Sequence, residues 1–225
     1  MPRSRSEGIS TVERNLPNSR HSLFLVDGSN YLFRAFYAIR DLSNSRGFPT
    51  NAIYGFTTML LKLLREHQPD YIAVAFDVKG STFRHDAYEG YKANRKAIPE
   101  ALIPQIPCVK QIVQALGIPL LEQPGIEADD ILGTLAAAHA GPDLQVVIVS
   151  GDKDLLQLVS EDVSLYDPMK EKRYDPAAVQ ERFGVVPGRV ADILALAGDA
   201  SDNIPGIPGI GPKGAERLIQ EFGSV

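Results

Sequence analysis

Three apolar runs in this chain end in acid: SLFLVD at 22–27, YIAVAFD at 71–77 and LQVVIVSGDKD at 144–154. Runs of this length, rich in Val, Ile, Leu and Phe, fit strands buried on both faces. Helical periodicity fills the spaces between them. It appears in NYLFRAFYAI after the GSN turn and in AIYGFTTMLLKLLREH (52–67), which stops before Pro69. IPQIPCVKQIVQAL (103–116) carries proline near its start, and a further helix opens at GIEADDILGT and runs to about His139. GIPLLE (117–122) reads as a short strand and VSLY (163–166) as an edge strand. Strands alternating with helices of this length predict an α/β fold, a mostly parallel central sheet with helices on both faces. The last part differs. GRVADILALAGDASDNIPGIPGIGPKGAERLIQEFGSV has no strand signal and predicts helix, glycine-rich turn, helix.

In an open α/β sheet the carboxyl ends of the strands line the ligand crevice. Asp27, Asp77, Asp152 and Asp154 follow the three strong strands. Glu127, Asp129 and Asp130 follow the short one, and Asp199 and Asp202 follow the helix ADILALAG. Singly, each of these is explained as a turn residue or helix cap; Asp154 in GDKDLL reads easily as a cap. Together they raise an electrostatic problem. Two carboxylates ~6 Å apart repel by roughly 3 kcal/mol at an effective dielectric of ~20. Such a crowd keeps its charge only if divalent cations sit among the acids, and otherwise several become protonated. No cysteine is near, and His139 lies at the far end of its helix. Oxygen donors alone favour Mg²⁺ or Mn²⁺ over zinc. The two groups of acids point to two ions, which at ~4 Å apart clamp the attacking and leaving oxygens of a phosphodiester displacement.

The formal net charge of −5 argues at first against a nucleic-acid partner. Setting the nine acids aside leaves +4 on the remainder, a basic body around an acidic pit. TFRHDAYEGYKANRK (82–96) spaces Arg84, Tyr88, Tyr91, Lys92 and Arg95 at three- and four-residue steps, one face of a helix. Cations interleaved with aromatics suit a nucleic-acid strand, and a solvated helix face is the plainer alternative. Arg34, in NYLFRAFYA, is a second candidate. GIPGIGPKGAERL (206–218) lacks the GK-Ser/Thr of a Walker loop. It still forms a glycine-flanked turn into a helix, where backbone N–H groups at Gly209, Ile210, Gly211 and Gly214 meet phosphate beside Lys213; a plain helical corner is the alternative.

The single cysteine, Cys108, rules out an internal disulfide, is expected to be a buried thiol, and fits a reducing, cytosolic setting. No run of about 18 apolar residues predicts a membrane span. MPRSRSEGISTVERNLPNSRH (1–21) lacks the apolar segment of a secretory signal and reads as a disordered leader.

The strings LVDGSNYLFRAFYA, VAFDVKGSTFRHDAYEGYKANR, GIEADDILGT, VSGDKDLLQLV and LAGDASDNIPGIPGIGPKGA together resemble the 5′-nuclease family that includes flap endonucleases. The likeness is closest to the 5′→3′ exonuclease domain of bacterial DNA polymerase I. The resemblance implies a nuclease core at 22–197 with a helical arch at about 80–100, and a DNA-gripping helix–three-turn–helix region at 198–225 that often binds K⁺. It implies that Asp27, Asp77, Glu127 and Asp129 serve one metal with Asp130 close by, and that Asp152, Asp154, Asp199 and Asp202 serve the other. Lys92 and Arg95 match residues that contact the scissile phosphate; Tyr91, Arg84 and Arg34 match strand-contacting positions. All nine acids match without substitution.

The expected activity is metal-dependent hydrolysis at 5′ ends or 5′ flaps of DNA, RNA primers included, by a monomer in the bacterial cytoplasm at the nucleoid. Family domains continue past the second helix of the glycine motif. The chain is therefore expected to be part of a longer protein, with a polymerase as the candidate continuation. Two rival readings remain open: a non-catalytic binder of branched DNA, and a small ribonuclease of the PIN type.

Overall fold

Val, Ile and Leu runs become central strands here because helices cover both faces of the sheet they enter. The computed structural model describes residues 20–225; of the expected leader, 1–19 lie outside the described residues. The chain runs β1 (His21–Asp27), α1 (Gly28–Ala38), α2 (Asn51–His67), β2 (Tyr71–Ala75), α3 (Phe83–Ala87), α4 (Gln105–Ala115), β3 (Leu120–Leu121), α5 (Ala128–His139) and β4 (Leu144–Val149). It continues through β5 (Val163–Asp167), β6 (Lys172–Tyr174), α6 (Pro176–Phe183), α7 (Val190–Ala197), β7 (Gly198–Asp199), β8 (Ile204–Pro205) and α8 (Pro212–Phe222). The main sheet has the order β3-β2-β1-β4-β5-β6, and only the β5–β6 pairing is antiparallel.

Alternation along the strands assigns the two cores. Phe24, Val26, Val147 and Val149 point to α1, α2 and α4, where Tyr31, Phe56 and Leu60 are fully buried. Leu25, Val146 and Ile148 point the other way, onto Leu132 and Ala136 of α5 and Val190 of α7. Each such side chain contributes roughly 1.5–3 kcal/mol of burial. A third, smaller core joins Ile193 and Leu196 of α7 to Ala215 and Ile219 of α8.

One device of the first core is invisible in local sequence. No side chain of its own segment caps α2. Gln105, fully buried at the start of α4, does so instead: Oε1 accepts from the N–H groups of Ala52 at 2.8 Å and Ile53 at 3.1 Å. Its Nε2 donates to Asn51 and to the Ala101 carbonyl, both at 2.8 Å, so every polar position of the amide is used.

Several expectations are corrected. VSLY is not an edge: β5 lies between β4 and β6, and the three-residue β6 forms the edge. The helix expected over 82–96 is limited to Phe83–Ala87. Tyr88 is extended, and Lys92 sits in the left-handed region at φ 55°, which a helix does not allow. The C-terminal part does contain strand, the two-residue ladder of β7 and β8. It forms where Gly198, at φ 78°, and Gly206 pass so closely that a Cβ on Gly206 would lie 2.3 Å from the Ala197 backbone. His21 already belongs to β1, so the leader ends sooner than residue 21. Cys108 is partly exposed rather than buried, its Sγ 3.7 Å from the Pro104 carbonyl. Among the described residues, no helix is long and apolar enough to cross a membrane.

Candidate metal centre and nucleic-acid interface

The strand order reverses direction between β1 and β4, and at that point the carboxyl ends of the strands open into a crevice. Asp27 closes β1. It is almost fully buried and accepts from the Asn30 N–H at 2.9 Å, which starts α1, and from the Ser150 hydroxyl at 2.8 Å, at the end of β4. Asp77, two residues beyond β2, takes its N–H bond to Ser29 and accepts from the Ala128 N–H at 2.8 Å, tying it to the first turn of α5. Glu127 and Asp130 form a reciprocal capping box at that helix start. Thus Glu127 and Asp130 are helix-capping residues and crevice residues at once.

The loop after β4 folds by the same kind of local bond. Asp152 receives the Asp154 N–H at 2.9 Å, and the Asp152 N–H returns to the Ser150 hydroxyl at 3.0 Å. Asp199, at the end of α7, accepts from the N–H of Ser201 at 2.9 Å and its hydroxyl at 2.6 Å, with Lys153 at 3.2 Å.

The acids feel one another. Burial pushes Asp129 up to about 8, and the charges of Asp27, Asp152 and Asp77 push in the same direction. Burial likewise lifts Asp27 to about 6, with bonds from Asn30 and Ser150 opposing. Asp154 rises to about 7 through burial and the charges of Asp152 and Asp199. Asp199 is also buried, but the bonds from Ser201, Asp154 and Lys153 together outweigh this and hold it at about 2. The proton of this neighbouring pair therefore belongs to Asp154. Apart from the proton these two acids share, two buried oxygens, Asp154 Oδ1 and Asp199 Oδ2, have no hydrogen-bond partner. Buried carboxylate oxygens left unpaired are costly, and a hard cation satisfies them. The donor set is all oxygen, so these residues fit divalent ions of the Mg²⁺ class. Among the described residues, no three acids are already drawn into a ready coordination shell.

Cations fill that role in their place. Lys92 Nζ lies 2.8 Å from both Glu127 oxygens, and Arg84 grips Asp130 with two bonds of 2.7 Å. That fork holds the Asp130 carboxyl below its ordinary range. Arg95 donates to Asp202 at 2.7 Å. The Tyr91 hydroxyl sits 2.9 Å from Glu127 and 3.1 Å from Asp202, and burial raises its pKa. A cleft of about 530 Å³ lies among these groups, lined by Arg84, Tyr91, Glu127, Asp129, Asp154 and Asp202. Arg34 is not among the residues that line this cleft. It spans from the buried Asp167 at 2.9 Å to the Gly151 carbonyl at 3.2 Å, while Asn30 accepts the Gly151 N–H. A Cβ at Gly151 would lie 1.7 Å from Nη2, so any larger residue there would push the guanidinium out of this position.

The glycine turn leads into α8, which has Pro212 in its first turn and no side-chain cap. Gly209 is at φ 86°, and Lys213 is exposed. Ile210 packs against the α7–α8 core and so fixes the turn. Lys153, Ser150, Asn30, Ser201 and Asp167 also belong to this site or its supports. Lys153 and Ser150 had a signal in SGDKD; Asp167 had none, since its partner lies 133 positions away.

Comparisons with known proteins agree over the whole described chain. The family model described as the 5′-3′ exonuclease, N-terminal resolvase-like domain, matches residues 22–184, and that of the 5′-3′ exonuclease, C-terminal SAM fold, matches 185–225. The 5′-3′ exonuclease of Aquifex aeolicus (strain VF5) is 47% identical over 204 residues, covering 91% of this chain and 71% of that protein. The DNA polymerase I of Mycobacterium leprae (strain TN) is 46% identical over 221 residues. That match takes in 96% of this chain, which spans 24% of the polymerase. Among solved structures, T5 5′-exonuclease with bound divalent metal ions (zinc) superposes with a TM-score of 0.73 at 26% identity, over 91% of this chain and 76% of that one. With two matched models that together take in every acid of the crevice, the chain belongs to the 5′-3′ exonuclease family.

Proposed function

We propose that this chain is a divalent-metal-dependent nuclease that hydrolyses phosphodiesters at 5′ ends and 5′ flaps of DNA, RNA-primed DNA included. One observation carries the reading: acids from the ends of β1, β2 and β4 and from two helix termini meet in one crevice, where burial and one another's charge raise three of them well above the ordinary carboxylate range. Two Mg²⁺ or Mn²⁺ ions, when bound, supply the charge neutralisation and water activation that phosphodiester hydrolysis requires. Asp27, Asp77, Glu127 and Asp129 would hold one ion with Asp130 close by, and Asp152, Asp154, Asp199 and Asp202 the other.

The basic residues then change partner. Lys92 and Arg95, released from Glu127 and Asp202, stabilise charge on the phosphate oxygens. Arg84 and Tyr91 line the path of the strand, and Arg34 supports the loop of Asp152 and Asp154 from beneath. The turn at Gly209, Ile210, Gly211 and Gly214, with Lys213, contacts the duplex backbone, and a K⁺ ion fits that role of exposed main chain. Selection by shape follows, because these contacts read backbone rather than base edges.

The polymerase relatives support a longer parent protein with a polymerase domain. On this reading it acts as a monomer in the bacterial cytoplasm at the nucleoid, in replication and repair. A 5′-flap duplex incubated with Mg²⁺ tests the reading. Wild type is expected to release the flap, and Asp152→Ala is expected to leave it intact. Equal cleavage by the two proteins, or none by either, overturns it.

A further inference from the structure

Two asparagines outside the acidic set tie the arch segment to the loop that carries Asp199 and Asp202. Asn94 donates from Nδ2 to the Ala200 carbonyl at 2.8 Å, and Asn203 donates from Nδ2 to the Gly90 carbonyl at 2.7 Å. Between them the Lys92 N–H donates to the Asp202 carbonyl at 2.9 Å. The two segments are thus stitched in both directions without either being a strand.

The backbone is set for this stitching. Lys92 and Asn203 both occupy the left-handed region, at φ 55° and 57°. Asparagine accepts that conformation readily, whereas lysine is found there only when its surroundings impose it. The turn at Gly90, under the Tyr88 ring, brings the Lys92 N–H to the loop.

These bonds differ in kind from the ion pairs beside them. Lys92–Glu127 and Arg95–Asp202 join a cation to a carboxylate. Divalent ions compete for those carboxylates, and a phosphate competes for those cations. A neutral amide bonded to a main-chain carbonyl carries no net charge for a divalent ion or a phosphate to draw away, so charge exchange in the cleft bears on it least. The asparagine contacts therefore outlast the exchange of charge partners.

We infer that Asn94 and Asn203 are positioning residues. They hold the turn bearing Lys92 and Arg95 over the crevice while those two cations pass from carboxylate to phosphate. The consequence for catalysis rests on the nuclease reading above; the clamp itself does not.

Asn94→Ala and Asn203→Gly test the inference. Asn94 is exposed, so its truncation leaves the cores untouched, and glycine preserves the left-handed backbone at 203. Amide hydrogen exchange across residues 90–95 of the metal-free, DNA-free protein should speed up about fivefold in each variant, the equivalent of one net hydrogen bond. On a 5′-flap substrate at saturating Mg²⁺, kcat should fall about fivefold, with KM for DNA and the Mg²⁺ half-saturation unchanged. Unaltered exchange in both variants overturns the clamp. Faster exchange with unaltered kcat overturns the positioning role, as does a rise in Mg²⁺ half-saturation that accounts for the lost rate. A wild-type protein that cuts nothing removes the nuclease reading and the positioning role with it, while exchange still judges the clamp.

Discussion

Replacing Asp129 by asparagine should stabilise the metal-free protein, although it removes one of the proposed metal ligands. Burial and three neighbouring acids raise this carboxyl from 3.8 to about 8. A group whose native pKa exceeds its unfolded value supports folding fully below the unfolded value and loses that support as pH rises through the native one. At pH 7 the folded protein keeps the proton and the unfolded chain has released it. The penalty spans about three pH units, ~4 kcal/mol at 1.36 kcal/mol per unit. Water entering an open cleft reduces such figures, and about 2 kcal/mol is the working value. Asparagine mimics the protonated acid at every pH and avoids the penalty. Melting in EDTA at pH 7 should therefore rise by roughly 4–8 °C in Asp129→Asn. The gain should shrink towards pH 5, where wild type regains its own proton at little cost. Saturating Mg²⁺ should reverse the order, because the ions stabilise only the protein that binds them. A variant that melts lower than wild type in EDTA at pH 7, or a gain that grows on acidification, refutes the reasoning.

Other expectations follow from single contacts. Gln105→Leu strips the N-terminus of α2 of its cap and strands buried N–H groups, so urea unfolding should show a loss of about 3 kcal/mol. Gly206→Ala forces a Cβ against the Ala197 backbone, and chemical unfolding should register a loss of about 2 kcal/mol or more. Asp167→Ala leaves Arg34 without its buried partner, which should cost about 3 kcal/mol and loosen the Gly151 peptide; hydrogen exchange at Gly151 and Asp152 reads the second effect.

Much of the sheet was legible because its strands are buried on both faces and so are written as unbroken Val, Ile and Leu runs. The acid ending each run made the crevice legible too, since a parallel sheet places all its carboxyl ends on one side. What escaped depends on distant partners. KRY at 172–174 has no apolar pattern, and it becomes β6 only because β5 offers a free edge. The β7–β8 ladder exists because two glycines let main chains touch. The cations at 84, 92 and 95 do lie together as their spacing implied. A turn rather than a helix brings them there, and their partners in this state are Asp130, Glu127 and Asp202. Arg34 is a strand-contacting candidate in the sequence; only the fold reveals Asp167 as its partner.

The account stands on ions taking the place of protons and lysines among these acids. Calorimetric titration of Mn²⁺ into EDTA-stripped protein at pH 7, repeated in buffers of different protonation enthalpy, measures both at once. The prediction is about two ions per chain with release of roughly one to two protons, drawn chiefly from Asp129 and Asp154. Absence of binding, or binding with no proton released, contradicts it.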